Sequence, residues 1–280
     1  MSYGDQFVLT LFTNDPLLAV RADLAGIDRI GVDIECIGKN LRQGHLNTWI
    51  SDHSEADLLC LRPAVQRAAL FARCNPIHPG LADEIGRLLD SGVEVLMLPY
   101  FKSVLEAEQF IRMVDGRATP VLLVETKESA AVMTNLCRVD GVKEIHIGLN
   151  DMRLSLGWPS HFHVLVSDFL VRLCEPVLDE GLRLGVGGLG RAGDCNLPIP
   201  SDLVIAQFVR LGATASLVSR VFFSGCASLD LGHEINALRR LLDLHASQPK
   251  SWLEAQRTAL TERLRHSQND ISETSILTPS

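Results

Sequence analysis

The chain reads as one (β/α)8 TIM barrel with extra C-terminal helices. Two observations carry this. Short runs rich in Val, Ile and Leu recur along the 280-residue sequence, and segments of helical spacing separate them. Runs of that composition suit strands buried on both faces, the condition of a parallel sheet wrapped by helices. A doubly wound open sheet is the alternative arrangement for the same alternation. The barrel with its C-terminal helices takes residues 1–266, and the polar stretch 267–280 follows as a flexible tail.

The elements follow in order. Phe7–Leu11 is the first strand, and Pro16–Leu24 is a helix ended near Gly26. Asp28–Ile34 (DRIGVDI) is the second strand. The polar segment Glu35–Asp52, with Gly38, Lys39, Arg42, Gly44 and His45, has no clean period and reads as a long loop, a kind of segment that often carries function. Ser54 and Asp57 give a capping-box-like start to a helix running toward Val65. Ala68–Cys74 is the third strand, ending in Arg73, and NPIHPG turns the chain. Leu81–Leu89 is an amphipathic helix, Val93–Leu98 the fourth strand, and Ser103–Val114 a helix.

The stretch Val121–Gly157 organises the rest. VLLV and EIHIG are apolar runs on either side of the helical ETKESAAVMTNL, so they form a strand-helix-strand unit with parallel neighbouring strands. Glu125 follows the first run and Asp151 the second, so both leave the sheet at one edge and can converge. Two such oxygens, with water and substrate, suit Mg²⁺ or Mn²⁺. The plainer role for the same residues is that Glu125 caps one helix and Asp151 opens the next. Beyond them, Phe162–Asp179 is a helix, Arg183–Val186 a strand, Ser201–Arg210 a helix and Thr214–Val218 the eighth strand. Leu231–His245 and Ser251–Arg265 are two further helices.

Composition limits the function classes. The net charge is −8 at pH 7 and no basic stripe stands out, which argues against a nucleic-acid partner. No apolar run approaches the roughly 20 residues of a membrane span, and the N-terminus has no secretion-signal pattern. Seven cysteines lack CxxC spacing, and Cys60, Cys74, Cys137 and Cys174 lie in apolar stretches as expected of buried thiols. A reducing, cytoplasmic setting is the expectation.

Barrel enzymes act at the carboxyl ends of their strands. The polar residues just past those ends are Asp33, Glu35, Arg73, Glu125 and Asp151. Arg73 suits a bidentate bond to a substrate carboxylate, or else a structural ion pair with one of these acids. GVGGLG at Gly185–Gly190 departs from a dinucleotide fingerprint in register and position, and reads as a tight barrel loop. His161 and His163 belong to a helix start rather than a metal site, and Arg239 and Arg240 to a solvated helix face.

The segments RIGVDIE, LFARCNP, GVEVLMLPYFKSVLEAE, LLVETKESA and DGVKEIHIGLNDMRLSLG, covering Asp28–Gly157, resemble the HpcH/HpaI aldolase and citrate lyase β-subunit family in content, order and interval. The resemblance implies a phosphoenolpyruvate/pyruvate-type barrel. It implies metal ligation by Glu125 and Asp151 and a substrate-carboxylate role for Arg73. Gly148, Leu149 and Asn150 fall in the substrate-binding stretch before the aspartate, where Leu149 and Asn150 replace the aldolases' small residues. In Asp33-Ile34-Glu35-Cys36, cysteine stands where the aldolases carry an acid–base histidine. Glu35 and Cys36 are therefore candidate catalytic residues, with His45 or His53 as other sources of the proton-transfer group. Lys102 stands where relatives carry an acid.

The resemblance implies a divalent-metal-dependent carbon–carbon lyase acting on a 2-oxo acid or hydroxy acid through a pyruvate-like enolate. An acyl-CoA lyase and a barrel that kept the metal site without catalysis are the alternatives. It also implies a homo-oligomer, with the C-terminal helices as contacts.

Overall fold

The computed structural model describes residues 1–39, 52–195, 197–224 and 229–276, with side chains up to 266. Eight parallel strands close into a barrel in sequence order: β1 (Val8–Phe12), β2 (Arg29–Asp33), β3 (Ala69–Arg73), β4 (Val95–Leu98), β5 (Thr119–Val124), β6 (Glu144–Ile147), β7 (Arg183–Leu189) and β8 (Ala215–Val218). The seam between β1 and β8 is parallel, with Val8 opposite Ala215, so the doubly wound alternative is excluded.

Two apolar regions follow from the alternation of side chains along each strand. Residues facing outward, such as Leu9, Ile30, Leu70, Leu96, Leu122, Ile145 and Leu184, join the helices in one continuous core. Residues facing inward from β3, β4 and β5 form a second cluster of Phe71, Val95, Met97, Val121 and Leu123, with Phe12 and Ala69 against it. The other side of the interior is polar. Arg29 on β2 makes a bidentate bond to Glu144 on β6, at 2.8 and 2.7 Å. Above it His146 Nε2 lies 3.1 Å from the carbonyl of Gly187. Gly185 makes room for this ring, since a Cβ there would lie 2.2 Å from His146 Nδ1.

Several elements differ from their expected bounds. The helix expected over ETKESAAVMTNL is two short ones, Lys127–Ala131 and Met133–Leu136, parted at Val132, whose φ of −108° and ψ of 15° leave the helical region. The helix expected over 162–179 is broken into His161–Leu165 and Asp168–Asp179, because the Ser167 hydroxyl caps a fresh start by accepting from Leu170 N. GVGGLG is mostly strand: β7 runs through it to Leu189, with an irregularity in its pairing between Gly185 and Gly188. The last helix, Lys250–Ile276, continues past the point where a loose tail was expected to begin.

Cys60 is exposed rather than buried, because the helix Asp57–Ala64 turns Leu58 and Leu61 inward and Cys60 outward. Arg239 is no solvated residue. Its guanidinium binds the carbonyls of Gly4, Phe7 and Gly26 and the carboxylate of Asp28, tying the helix Leu231–Ala246 under the amino-terminal end of the barrel. Among the described residues no helix is long and apolar enough to cross a membrane.

Candidate active site

The site is built at the carboxyl ends of β2 to β6. Strands β2 and β3 pair in register with Asp33 opposite Arg73. The terminal residues of the two strands therefore stand side by side, and the longer one closes onto the shorter. Arg73 Nε donates to Asp33 Oδ1 at 2.8 Å and Nη2 to Oδ2 at 2.7 Å. Nε also lies 3.4 Å from Glu35 Oε2. The guanidinium carbon sits 5.3 Å from the centre of the Phe12 ring, a cation–π contact from β1. The structural ion pair considered for Arg73 is thus present.

Lys39 joins the same acids. Its Nζ donates to Asp33 Oδ2 at 2.8 Å and lies 3.5 Å from Glu35 Oε2, with only 5% of the side chain exposed. Burial of Asp33 favours its neutral form, but Arg73 and Lys39 outweigh that and hold its carboxyl well below the usual range. Burial likewise opposes the charge on Arg73, and Asp33 and Glu35 reverse the balance, so the arginine is held charged.

Cys36 follows Glu35 and is exposed. Its Sγ lies 3.5 Å from Asn75 Oδ1, the oxygen that also accepts from the amides of Cys36 and Ile37 at 2.9 and 3.0 Å. Asn75 in turn gives its amide and Nδ2 to the buried Glu84, which His78 Nε2 also contacts at 3.2 Å. This clasp fixes where the chain leaves β2. His53 returns to the same strand end, where its Nδ1 accepts from Asp33 N at 3.1 Å, an arrangement that places the ring proton on Nε2. Burial lowers the pKa of His53, with Asp33 partly opposing. His45 lies outside the described residues.

On the other side of the rim Glu125 is buried just past β5. It does not cap the helix after it. Thr126 does so, its Oγ1 accepting from Ser129 N at 3.0 Å. Glu125 Oε1 instead accepts the amide of Tyr100 at 3.0 Å. Tyr100, past the end of β4, holds a φ of +50°, a left-handed conformation that costs a tyrosine of order 1 kcal/mol or more. Lys102 Nζ lies 5.6 Å from the centre of its ring.

Strands β5 and β6 bring the second acid close. Val124 pairs with Ile147, and Gly148 N donates to Val124 O at 3.0 Å. Gly148 packs so closely on Glu125 that a Cβ at this position would lie 2.7 Å from Glu125 Oε2. The helix Leu149–Leu156 begins there, with Asp151 buried in its first turn. The helical placement foreseen for Asp151 is therefore observed. Leu149 is buried in the outer core against the barrel wall, and the Asn150 side chain accepts from Arg153 Nε at 3.2 Å.

Glu125 and Asp151 are two buried hard carboxylates past the ends of neighbouring strands, with Gly148 packed against Glu125. Among the described residues no three His, Cys, Asp or Glu side chains gather as a metal cage. Two carboxylates alone are a donor set of the kind a hard cation such as Mg²⁺ or Mn²⁺ accepts when water and substrate oxygens complete its shell, and they lack the ligands of a closed structural zinc site.

The sequence reading did not give functional weight to Lys39, Asn75, Tyr100 or Arg220. Lys39 was visible as one cation in a polar loop. Its contacts with Asp33 and Glu35 could be suggested by the i,i+4 spacing from Glu35 but not established by it. Arg220 stands in the turn Arg220–Phe223 just past β8, where partial burial lowers its pKa and the charge of Asp33 partly opposes that.

Fold and rim together define a (β/α)8 barrel with a polar site at the carboxyl ends of its strands. Its structural neighbours are HpcH/HpaI aldolase and citrate lyase family proteins. A family protein from Burkholderia cenocepacia superposes with a TM-score of 0.60 at 17% identity, covering 87% of this chain and 96% of that one. An HpcH/HpaI aldolase from Desulfitobacterium hafniense gives 0.57 at 17% identity, covering 77% and 86%. In sequence the chain is 24% identical to a pyruvate aldolase of Rhizobium etli over 40% of its own length, and the match spans 57% of that relative's length. No family model matches the chain.

Proposed function

We propose that the protein is a carbon–carbon lyase that cleaves or forms a 2-oxo acid through a pyruvate-like enolate, with Mg²⁺ or Mn²⁺ held by Glu125 and Asp151. The observation that carries this reading is that two buried carboxylates lie just past the ends of the adjacent strands β5 and β6, on the rim that also presents Arg73. The aldolase and lyase neighbours support the reaction class.

The chain's own residues account for most of the chemistry. Arg73 uses its Nε and Nη2 edge for Asp33 and Glu35, so a substrate carboxylate would meet the Nη1 side. Asp33 and Glu35 keep that guanidinium charged and oriented. The Tyr100 amide fixes the Glu125 carboxylate, leaving Oε2 toward Gly148. Gly148, Leu149 and Asn150 form the backbone turn along which the 2-oxo acid would lie. A bound divalent cation would supply Lewis acidity toward the oxo group and stabilise the negative charge of the enolate. Cleavage breaks the bond between the carbon next to the oxo group and the hydroxyl-bearing carbon, removes the hydroxyl proton as the aldehyde forms, and leaves an enolate that takes up a proton.

The test is deuterium exchange into the pyruvate methyl group, followed by NMR with Mg²⁺ or Mn²⁺. Metal-dependent exchange that disappears in Glu125→Gln is the expected result. Absence of exchange with either metal in the wild type would overturn the pyruvate reading.

A further inference from the structure

His245 is a buried polar side chain that neither the barrel nor the proposed reaction uses. It stands in the last turn of the helix Leu231–Ala246 and is 5% exposed. Among the described residues neither of its ring nitrogens reaches a hydrogen-bond partner. A neutral imidazole carries one N–H, so a donor is buried here without an acceptor, and a second proton would bury a full charge. The ring packs on Trp252 of the next helix, Lys250–Ile276, with centres 5.1 Å apart and planes 32° from parallel. A histidine at a helix C-terminus is ordinarily favoured in its charged form. Burial reverses that preference and lowers the pKa of His245, while Asp202, on the helix Ser201–Arg210, partly opposes through its charge and its main chain. Asp202 Oδ1 already accepts from Gly193 N at 2.7 Å. Other charged residues of these three helices are also engaged: Asp243 accepts from Gly4 N, and Glu254 pairs with Arg210 and Arg257. Lys250 is exposed.

We propose that His245 is an acid-sensitive latch: while its ring is neutral the helix Lys250–Ile276 stays docked on the barrel, and uptake of a proton undocks it. The rest of the docking is compatible with such a motion. Leu253, Leu260 and Leu264 are buried from this helix. Its polar ties run to the surrounding helices rather than to the strands: Glu254 to Arg210 at 3.4 Å, and Arg257 to the Val166 carbonyl and the Asp168 carboxylate. The helix can therefore lift without opening the sheet. Once it lifts, His245 returns to water and to its ordinary value of 6.5. Docking is then at full strength above pH 6.5 and weakens as the pH falls below it, because the lifted form takes up the proton that the docked form refuses. With no uptake at all in the docked form, the lifted population rises by about 25-fold between pH 7 and pH 5, the upper limit for one histidine.

The experiment is amide hydrogen exchange of the full chain at pH 7 and pH 5, read by mass spectrometry and corrected for the intrinsic pH dependence of exchange. Peptides from residues 250–264 report docking, and peptides from β5 and β6 report the barrel. The helix is expected to be less protected than the strands at both pH values, the mark of local opening. Its protection is expected to fall by about 10-fold or more from pH 7 to pH 5 in the wild type. In His245→Phe, which keeps a ring on Trp252 and cannot take a proton, the change in the helix is expected to stay within about twofold. The proposal is overturned if helix protection does not fall in the wild type, if helix and strands exchange as one unit, or if His245→Phe shows the same fall. The NMR titration of the His245 ring in the wild type gives a second reading that needs no variant to fold. A ring that charges as helix protection is lost supports the latch, and a ring that charges near pH 6.5 while the helix stays protected overturns it.

Discussion

Arg29 and Glu144 stand on strands four places apart in the closed order of eight, so their bidentate bond crosses the barrel interior. Both side chains are almost wholly buried, and Arg183 Nη1 approaches the same carboxylate at 3.6 Å. Neutralising one partner leaves the other charge buried inside the barrel without its bidentate partner. Glu144→Gln should therefore lower stability by about 3–5 kcal/mol, and a joint replacement of both residues by apolar ones of similar volume should cost much less. Urea unfolding of the single and double variants measures both.

His146 makes stability depend on pH. Burial, the largest influence, lowers its pKa to about 4 from an ordinary 6.5, against smaller opposing effects of Glu144 and the Gly187 carbonyl. Between these values the unfolded chain takes up a proton that the folded chain refuses. The contribution of this residue to stability thus falls as the pH drops from 6.5 toward 4, by about 3 kcal/mol in all, and no further below that. His146→Gln keeps a donor for Gly187 and should flatten this part of the acid limb. Unfolding free energies of the two proteins at pH 7 and pH 5 compare the slopes.

Cation binding should be visible without any turnover. If Glu125 and Asp151 hold Mn²⁺, a concentration near 100 times the dissociation constant adds about 2.7 kcal/mol to the stability of the native state. Glu125→Gln and Asp151→Asn should each abolish most of that gain. Thermal unfolding with and without Mn²⁺ reads it directly.

The left-handed Tyr100 separates backbone from side-chain effects. Tyr100→Ala and Tyr100→Gly lose the same ring contacts, but only glycine adopts a φ of +50° without strain. The glycine variant should therefore be more stable than the alanine variant by about 1 kcal/mol, reversing their usual order. Chemical denaturation of the two variants gives the difference.

The parts of this fold legible in the sequence were those fixed by local pattern. Val-, Ile- and Leu-rich runs marked all eight strands, and the VLLV and EIHIG pair placed Glu125 and Asp151 at neighbouring strand ends. What escaped depended on groups distant in sequence or on single backbone angles. The fork from Arg73 to Asp33 spans 40 positions, and nothing local chose it over a free guanidinium. The break at Val132 and the new cap at Ser167 interrupt segments whose composition is helical throughout. Arg239 looked like a surface cation because the carbonyls that receive it lie near the other end of the chain. Tyr100 gave no sign of its conformation, since tyrosine is not a residue that favours it.

That clamp bears on how the protein is made. All eight strands have left the ribosome once Val218 has emerged, yet Arg239 comes later and is the residue that reaches Gly4, Phe7 and Gly26. A nascent chain halted before residue 231 would carry every staple of the sheet but not the tie between its first and last segments. Its β1–β8 seam would have to hold without that tie, and the barrel's permanence is therefore settled only when the C-terminal helices have been synthesised.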